Sequence, residues 1–284
     1  VRLLRLFASP SYRPPVLPGV ALEIMSLANR PDASFDEVGA VLEKDPILAA
    51  KVLSLAQSAI YAPRSPILSL KAATVRLGLS TLRDIVLEAA LELRVFRVPG
   101  YESWMERLSR HSTVTAYVMR AVCRRTAIEA EYAFLCGLLH DVGIAACLLA
   151  LGDDARAGPA PVEVLEPVLD EVHEEASGLV TRLWALPAEI QRVVATHHQL
   201  LVGGVPHPVN AALIVAEELA RELGAGMGRP EAERQAIDAN PLDLFEDACA
   251  TLSLSPGALE AVRGEAATLG SALHERRAKM AAGA

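Results

Sequence analysis

Residues 132–151 read YAFLCGLLHDVGIAACLLAL. Twenty residues, almost all apolar, are long enough to cross a bilayer as one helix. His140 and Asp141 interrupt the run near its centre. A central aspartate costs about 2.5–3.5 kcal/mol on insertion scales, and Gly137 and Gly143 weaken the segment further. The better reading is a helix buried on all sides within a protein core, so no membrane partner is expected. That reading raises the question on which the chain turns: why place an imidazole and a carboxylate in its most apolar stretch?

The composition agrees with a packed interior. The chain has 284 residues, enough for one large domain or two small ones. It is 52% hydrophobic and 22% charged, which argues against disorder. Aromatics are only 4%, so the core must be aliphatic and suits close-packed helices better than a β-sandwich. The net charge of −8 makes nucleic acid and anionic membranes poor partners. Cys123, Cys136, Cys147 and Cys249 form no C-x-x-C pair and read as reduced, mostly buried thiols of a cytoplasmic protein. The opening VRLLRLFASPSYRPP has no long apolar stretch and no small-residue cleavage site, so no secretory leader is expected.

Outward from the central run the pattern is helical nearly throughout. Residues 1–18 read as irregular, punctuated by Pro10, Pro14, Pro15 and Pro18. GVALEIMSLANR then sets Val20, Ile24 and Leu27 on one stripe. Ser34 reads as an N-cap, and Asp45-Pro46 as an N-cap followed by proline at the first helical position. Leu48, Val52 and Leu55 form the next stripe, and the turn YAPRSP comes after it. Gly78 ends a helix and Ser80 starts another. Val98-Pro99-Gly100 marks the boundary between lobes. YESWMERLSRHSTVTAYVMRAVCRR beyond it reads as one helix, and the central run as a buried pair or one long helix. GDDARAGPAP is a loop, VEVLEPVLDEVHEEASGLVTRLWAL a helix, and Pro187 opens AEIQRVVATHHQL. VGGVPHP is a second loop, VNAALIVAEELARELG a helix, and more helices come after it. No useful β-alternation or fixed repeat is visible. The expectation is an all-α, two-lobed helical bundle, with the N-terminal lobe packed on a second, histidine-bearing one.

Of seven histidines, five lie in predicted helices between residues 101 and 199: His111, His140, His173, His197 and His198. The stripe Ile190, Val193 or Val194, His197 points His197 inward. A buried carboxylate such as Asp141 is costly without a partner. A divalent cation shared with imidazoles removes that cost, and such donor sets suit Fe, Mn, Zn or Ni. Any one of these histidines alone would be read as an ordinary hydrogen-bonded residue; together they point to a site.

LLHDVG resembles the signature of the HD superfamily of metal-dependent phosphohydrolases. His111 stands 29 residues before His140, as the first histidine ligand does there. His173 in DEVHEE looks like the third histidine of the HD-GYP branch, and His197-His198 like its double histidine. Glu217, in LIVAEELA, stands where that branch has its last aspartate ligand. Glu174 is expected to orient His173 from outside the ligand set. Two features depart from an active HD-GYP enzyme: Ile144 replaces the lysine after HD-x-G, and QLLVGGVPHP replaces the glutamate and GYP motif. The N-terminal half resembles the HDOD domain, a helical relative of that fold. The matching pieces are LPGV, the Asp45-Pro46 start, LAQSAIYAP (with Gln57 where asparagine is usual) and AATVRLGLSTLRDIVL. The resemblance covers roughly residues 15–225. It implies residues 1–98 as the N-terminal lobe and 99–225 as the HD-like lobe, with 226–284 as helices covering the latter.

HDOD domains generally have degraded catalytic motifs and serve bacterial signalling. The resemblance therefore implies a non-catalytic regulatory module with protein partners and a possible nucleotide ligand. The alternative expectation is a phosphohydrolase acting on a cyclic dinucleotide or another phosphoester. In it His111, His140, Asp141 and Glu217 form one side and Asp141, His173, His197 and His198 the other, with Asp141 the catalytic candidate. A third reading takes SLKAATVRLGLSTLRDIV as helix–turn–helix. Lys71, Arg76 and Arg83 make a thin footprint for DNA in an acidic chain. Trp104 and Trp184 read as core or lobe-interface aromatics, the acidic run Asp170, Glu171, Glu174 and Glu175 as a solvated face, and His207 and His274 receive no role.

Overall fold

A computed structural model describes residues 15–28, 30, 32–61, 67, 69–128, 132–152, 160–227 and 241–282. Most of the irregular start, most of the YAPRSP turn, the body of the GDDARAGPAP loop and residues 228–240 lie outside the described residues. The chain divides into two compact units. One is Val16–Arg97 with the chain from Ser271 onward; the other is Val98–Gly270 joined by Pro15.

In the first unit the helix starts arise from local chemistry. Helix α1 is Gly19–Ala28, α2 Phe35–Leu42, α3 Pro46–Ala56 and α4 Leu70–Ala90. Ser34 accepts from the Glu37 N–H while the Glu37 carboxylate accepts from the Ser34 N–H, a reciprocal cap on α2. Asp45 accepts from the Leu48 N–H at 3.0 Å, with Pro46 at the first helical position of α3. Helix α4 is broken at Gly78 (φ 78°, ψ 164°), where a helix was expected to end. Its second half, Leu82–Ala90, is buried all round, and α1, α2 and α3 pack against α4. Arg83 is buried and paired with Asp84 at 2.9 Å, and Lys71 pairs with Asp36 at 2.7 Å. Two of the three cations of the helix–turn–helix reading are thus engaged within the fold.

The second unit carries α5 (Glu102–Cys123), α6 (Ala133–Leu139), α7 (Val142–Gly152), α8 (Val162–Leu183), α9 (Ala188–Val194), α10 (Pro208–Glu222) and α11 (Pro241–Thr251). The central apolar run is the pair α6 and α7, broken at His140-Asp141, and 83% of its candidate membrane-crossing window is buried. Helix α6 packs on α5, α7 on α8, and α10 on α5 and α11. Gly143 allows the α7–α8 approach: a Cβ there would lie 2.4 Å from the His173 carbonyl oxygen and the Ser177 nitrogen. The Gly143 N–H donates to Ser177 Oγ at 2.8 Å across the contact. Trp184 is buried, its indole N–H on the Pro15 carbonyl, and Trp104 is buried as well. All four cysteines are free thiols, and burial pushes Cys136 and Cys147 up to about 12.

Three features differ from the sequence reading. The VGGVPHP loop contains a small antiparallel hairpin, β1 (Leu201–Val202) with β2 (Val205–Pro206). Its turn residues Gly203 and Gly204 have φ of 62° and 81°, the values a tight two-residue hairpin turn requires; two-residue strands are too short to show alternation. Helix α9 stops at Val194, so His197 and His198 lie in the turn after it rather than on its last turn. Finally, the last helix, α12 (Pro256–Ala282), does not serve the second unit alone. From Ser271 it groups with residues 16–97, where Arg276 is buried and pairs with Glu88 at 2.6 Å.

Candidate metal centre

The second unit gathers all seven singled-out residues. His111 comes from α5, His140 and Asp141 from the α6–α7 break, and His173 from α8. His197 and His198 come from the turn after α9, and Glu217 from α10. The break matters because it frees two consecutive side chains, which on a continuous helix would point about 100° apart, to face one interior point. His111, His140, Asp141, His173 and His197 are all buried.

Four of the five imidazoles are tied in the same way. His111 Nδ1 lies 2.9 Å from the Ala225 carbonyl oxygen, and His140 Nδ1 2.8 Å from that of Gly137. His173 Nδ1 meets the Leu169 and Asp170 carbonyls at 3.0 and 2.9 Å, and His197 Nδ1 the Val194 carbonyl at 2.9 Å. A carbonyl oxygen only accepts, so each Nδ1 carries the hydrogen and each neutral ring turns a lone pair out through Nε2.

Those Nε2 atoms converge on Asp141, two to each oxygen. Oδ2 lies 3.4 Å from His111 and 3.3 Å from His140. Oδ1 lies 3.5 Å from both His173 and His197. Glu217 Oε1 stands 3.3 Å from His140 Nε2 and 3.6 Å from His198 Nε2. The donors thus fall into two groups whose ligand atoms lie close together: His111, His140 and Asp141, and His173, His197 and His198.

The electrostatics stem from packing carboxylates among imidazoles. Burial pushes the Asp141 carboxyl up, but the positive charge on protonated His140, with the imidazoles of His111 and His197 close by, outweighs it and holds it well below its usual range. Burial likewise opposes ionised Glu217, and His198 and His140 reverse the effect. Burial disfavours a charged His140, yet Asp141 and Glu217 hold it well above the ordinary imidazole value. His198 is held up at about 9, its partial burial being outweighed by Glu217. His197 is pushed down to about 4 by burial and by the neighbouring His198.

This donor set fits divalent cations. Histidine and carboxylate ligands suit Zn, Fe, Mn or Ni. The buried Nε2 of His197 has no hydrogen-bond partner, so a neutral imidazole there presents an unused lone pair. Each locked histidine has the main-chain support that metal-binding histidines use to fix ring and tautomer.

Other residues hold the frame. Glu174 does not orient His173, because neighbouring residues on a helix do not share a face. Its carboxylate accepts the His198 main-chain N–H at 2.7 Å and Gln199 Nε2 at 3.4 Å. Asp170, Glu171 and Glu175 are exposed, as expected of a solvated face. Two positioning residues escaped the sequence reading. Buried Asn210 donates through Nδ2 to the carbonyls of Thr196 (2.6 Å) and Gln199 (2.9 Å), which bracket His197-His198. Ser177 supports the backbone next to Asp141 through Gly143. An asparagine directly before the buried apolar stretch Ala211–Ala216 was the available signal for the former. His207 caps α10, accepting from the Asn210 N–H, and His274 is exposed. Ile144, in the lysine position, is buried.

A helical unit that presents a histidine–aspartate pair at a break between two buried helices, ringed by further histidines, defines an HD-type protein. The HDOD domain pattern matches residues 15–200, and the chain belongs to that family. Comparison with curated proteins finds no match. Among solved structures, an HDOD domain protein of unknown function from Geobacter sulfurreducens is 25% identical, with a TM-score of 0.69, covering 98% of this chain and 95% of that one. A proposed metal-dependent phosphohydrolase from Shewanella amazonensis SB2B is 20% identical, with a TM-score of 0.68 and coverage of 93% and 96%. A proposed signal transduction protein from Marinobacter aquaeolei VT8 is 20% identical, with a TM-score of 0.56 and coverage of 93% and 65%. These last two likenesses concern the fold.

Proposed function

We propose that this chain is a cytoplasmic regulatory module of a bacterial signalling pathway whose HD-type centre holds divalent metal. His111, His140, Asp141 and Glu217 would hold one ion, and Asp141, His173, His197 and His198 a second. The observation that carries this reading is the convergence of four tautomer-locked Nε2 atoms on the two oxygens of Asp141. A signalling role is supported by membership of the HDOD family and by the proposed role of the Marinobacter protein. Ion or nucleotide occupancy would act by favouring one conformation for a protein partner. The test is the metal content of untagged protein purified without chelator, beside Asp141→Ala. Near-stoichiometric metal that vanishes in the variant supports the reading. No metal after loading with manganese, iron or zinc overturns it.

The bridging position of Asp141 favours a second reading, phosphoester hydrolysis. Two divalent ions would supply a nucleophile at neutral pH and neutralise charge on a phosphoryl oxygen. The chain's own part would be to hold the ligands through the main-chain hydrogen bonds on their Nδ1 atoms. Against this reading, buried Ile144 offers no cation for a phosphate, and a two-glycine hairpin comes after the double histidine. Hydrolysis of bis(p-nitrophenyl) phosphate with added manganese decides it: equal rates for the native chain and Asp141→Ala remove the reading.

A further inference from the structure

The two halves of the centre are not built alike. In one half, the side chains of His111, His140 and Asp141 are 5%, 0% and 6% exposed. In the other, His173 and His197 are equally enclosed, at 6% and 0%, but His198 is 51% exposed.

The difference extends to how the rings are held. Every other histidine of the cluster has Nδ1 on a main-chain carbonyl at 3.0 Å or less. His198 Nδ1 instead faces the Glu174 carboxylate at 3.8 Å, beyond hydrogen-bond reach. Its backbone is secured by the same carboxylate, through the His198 N–H at 2.7 Å. The main chain at His198 is therefore pinned, while its exposed ring lacks the main-chain carbonyl that fixes the other four and faces carboxylates instead, Glu174 at 3.8 Å and Glu217 at 3.6 Å. A ligand that costs little to swing away, on a side open to water, is a route for an ion to leave.

The donor chemistry differs too. The His111 half has two imidazoles and an Asp141 oxygen, and the Glu217 carboxylate stands between the halves, 3.3 Å from His140 and 3.6 Å from His198. The His198 half has three imidazoles and one shared carboxylate oxygen. The first half is closed to water and the second is open at His198, which favours retention of a dication in the first.

We infer that the centre holds its ions unequally: a resident ion in the His111–His140 half, and an exchangeable ion in the His173–His197–His198 half that responds to the free metal concentration. His198 is the gate ligand and Glu174 its positioning residue. The regulated variable of the module is then occupancy of the second half, with the first ion a fixed part of the structure. This inference rests on the proposed metal centre and goes beyond it by assigning the regulation to one half.

The experiment is zinc release from the full chain. Protein is loaded with zinc, the bound equivalents are counted, and excess chromogenic chelator is mixed in rapidly. Two equivalents leaving in two phases, their rates separated by about ten-fold or more, are expected. His198→Ala should lower the stoichiometry from two to one and abolish the fast phase, with the slow phase unchanged. Glu174→Gln should retain both equivalents and weaken the exchangeable one by about ten-fold. His198 is exposed and Glu174 lies at the rim, so both variants leave the core intact; unchanged far-ultraviolet circular dichroism checks this. Release of both equivalents at one rate, binding of a single equivalent by the native chain, or loss of the slow equivalent in His198→Ala overturns the inference while leaving the metal centre standing. Failure to bind zinc, manganese or iron overturns both.

Discussion

His111 Nε2 lies 2.9 Å from His140 Nε2, although the Nδ1 of each ring is already committed to a main-chain carbonyl. Two neutral rings so arranged would point lone pair at lone pair. The contact therefore requires a shared proton, with His140 as the ring whose charged form is favoured, or a cation accepted by both rings. The first solution keeps the ion-free fold satisfied, and the second makes it a binding site.

Asp141→Ala is the substitution to which this arrangement is most sensitive. Its two oxygens serve both halves, so both equivalents of metal should be lost. His111→Ala touches one half only and should lose one. Zinc at about 100 times its dissociation constant stabilises a single-site fold by about 2.7 kcal/mol. That increment should be present in the native chain and absent in Asp141→Ala. Metal-to-protein ratios by mass spectrometry, with thermal unfolding in the presence and absence of zinc, check both statements.

Metal and protons compete for the same lone pairs. In the ion-free protein His198 is held up at about 9, and His140 is also raised. A histidine raised on folding adds stability that is fully present below its unfolded value, about 6.5, and is lost as pH rises through its folded value. The ion-free protein should therefore lose stability between pH 6.5 and 9. Ion entry must expel those protons, so apparent metal affinity should rise over the same interval. The gap in melting temperature between zinc-loaded and ion-free protein should widen from pH 6.5 to pH 9. Calorimetric titration in two buffers of different ionisation enthalpy should show proton release on binding.

Much of this architecture was legible because it is written in local chemistry. The Ser34 and Asp45-Pro46 helix starts and the break at Gly78 depend on residues within one turn of each other. The cluster was legible for another reason: His140-Asp141 in an apolar run contradicts the environment that run predicts, so it demanded a partner. The features that stayed hidden depend on contacts across the fold. No sequence pattern tells that Glu174 meets the main chain of His198 rather than the ring of His173. None shows Asn210 tying together the turn that holds His197 and His198. The hairpin at Leu201–Pro206 is too short to leave a periodic trace, although its glycine pair was in view.

Gly143 tests whether the site depends on helix spacing. Its missing side chain lets α7 approach α8 until a Cβ would sit 2.4 Å from main-chain atoms of His173 and Ser177. Backbone cannot yield as a flexible side chain does. Gly143→Ala should cost about 1–3 kcal/mol by overpacking and shift His173 away from Asp141. Urea denaturation should record the loss, and zinc binding to the half that contains His173 should weaken more than binding to the other half.

Arg276 and Glu88 offer a test far from any proposed ligand. Their side chains are 6% and 0% exposed, with Nη2 and Oε1 2.6 Å apart. Arg276 also reaches Glu92 at 3.3 Å, and Glu92 pairs with Lys51. Removing one member of such a buried pair leaves the other charge without its counter-ion, at a cost of about 3–5 kcal/mol. Arg276→Met should therefore destabilise the unit formed by residues 16–97 and the end of α12 far more than an exposed substitution such as His274→Ala. The double variant Arg276→Met with Glu88→Gln should recover part of the loss, because the buried charge is removed with its partner. Melting temperatures of the four proteins, the native chain included, check the order. A double variant no more stable than Arg276→Met alone would show that packing, rather than the stranded carboxylate, sets the cost.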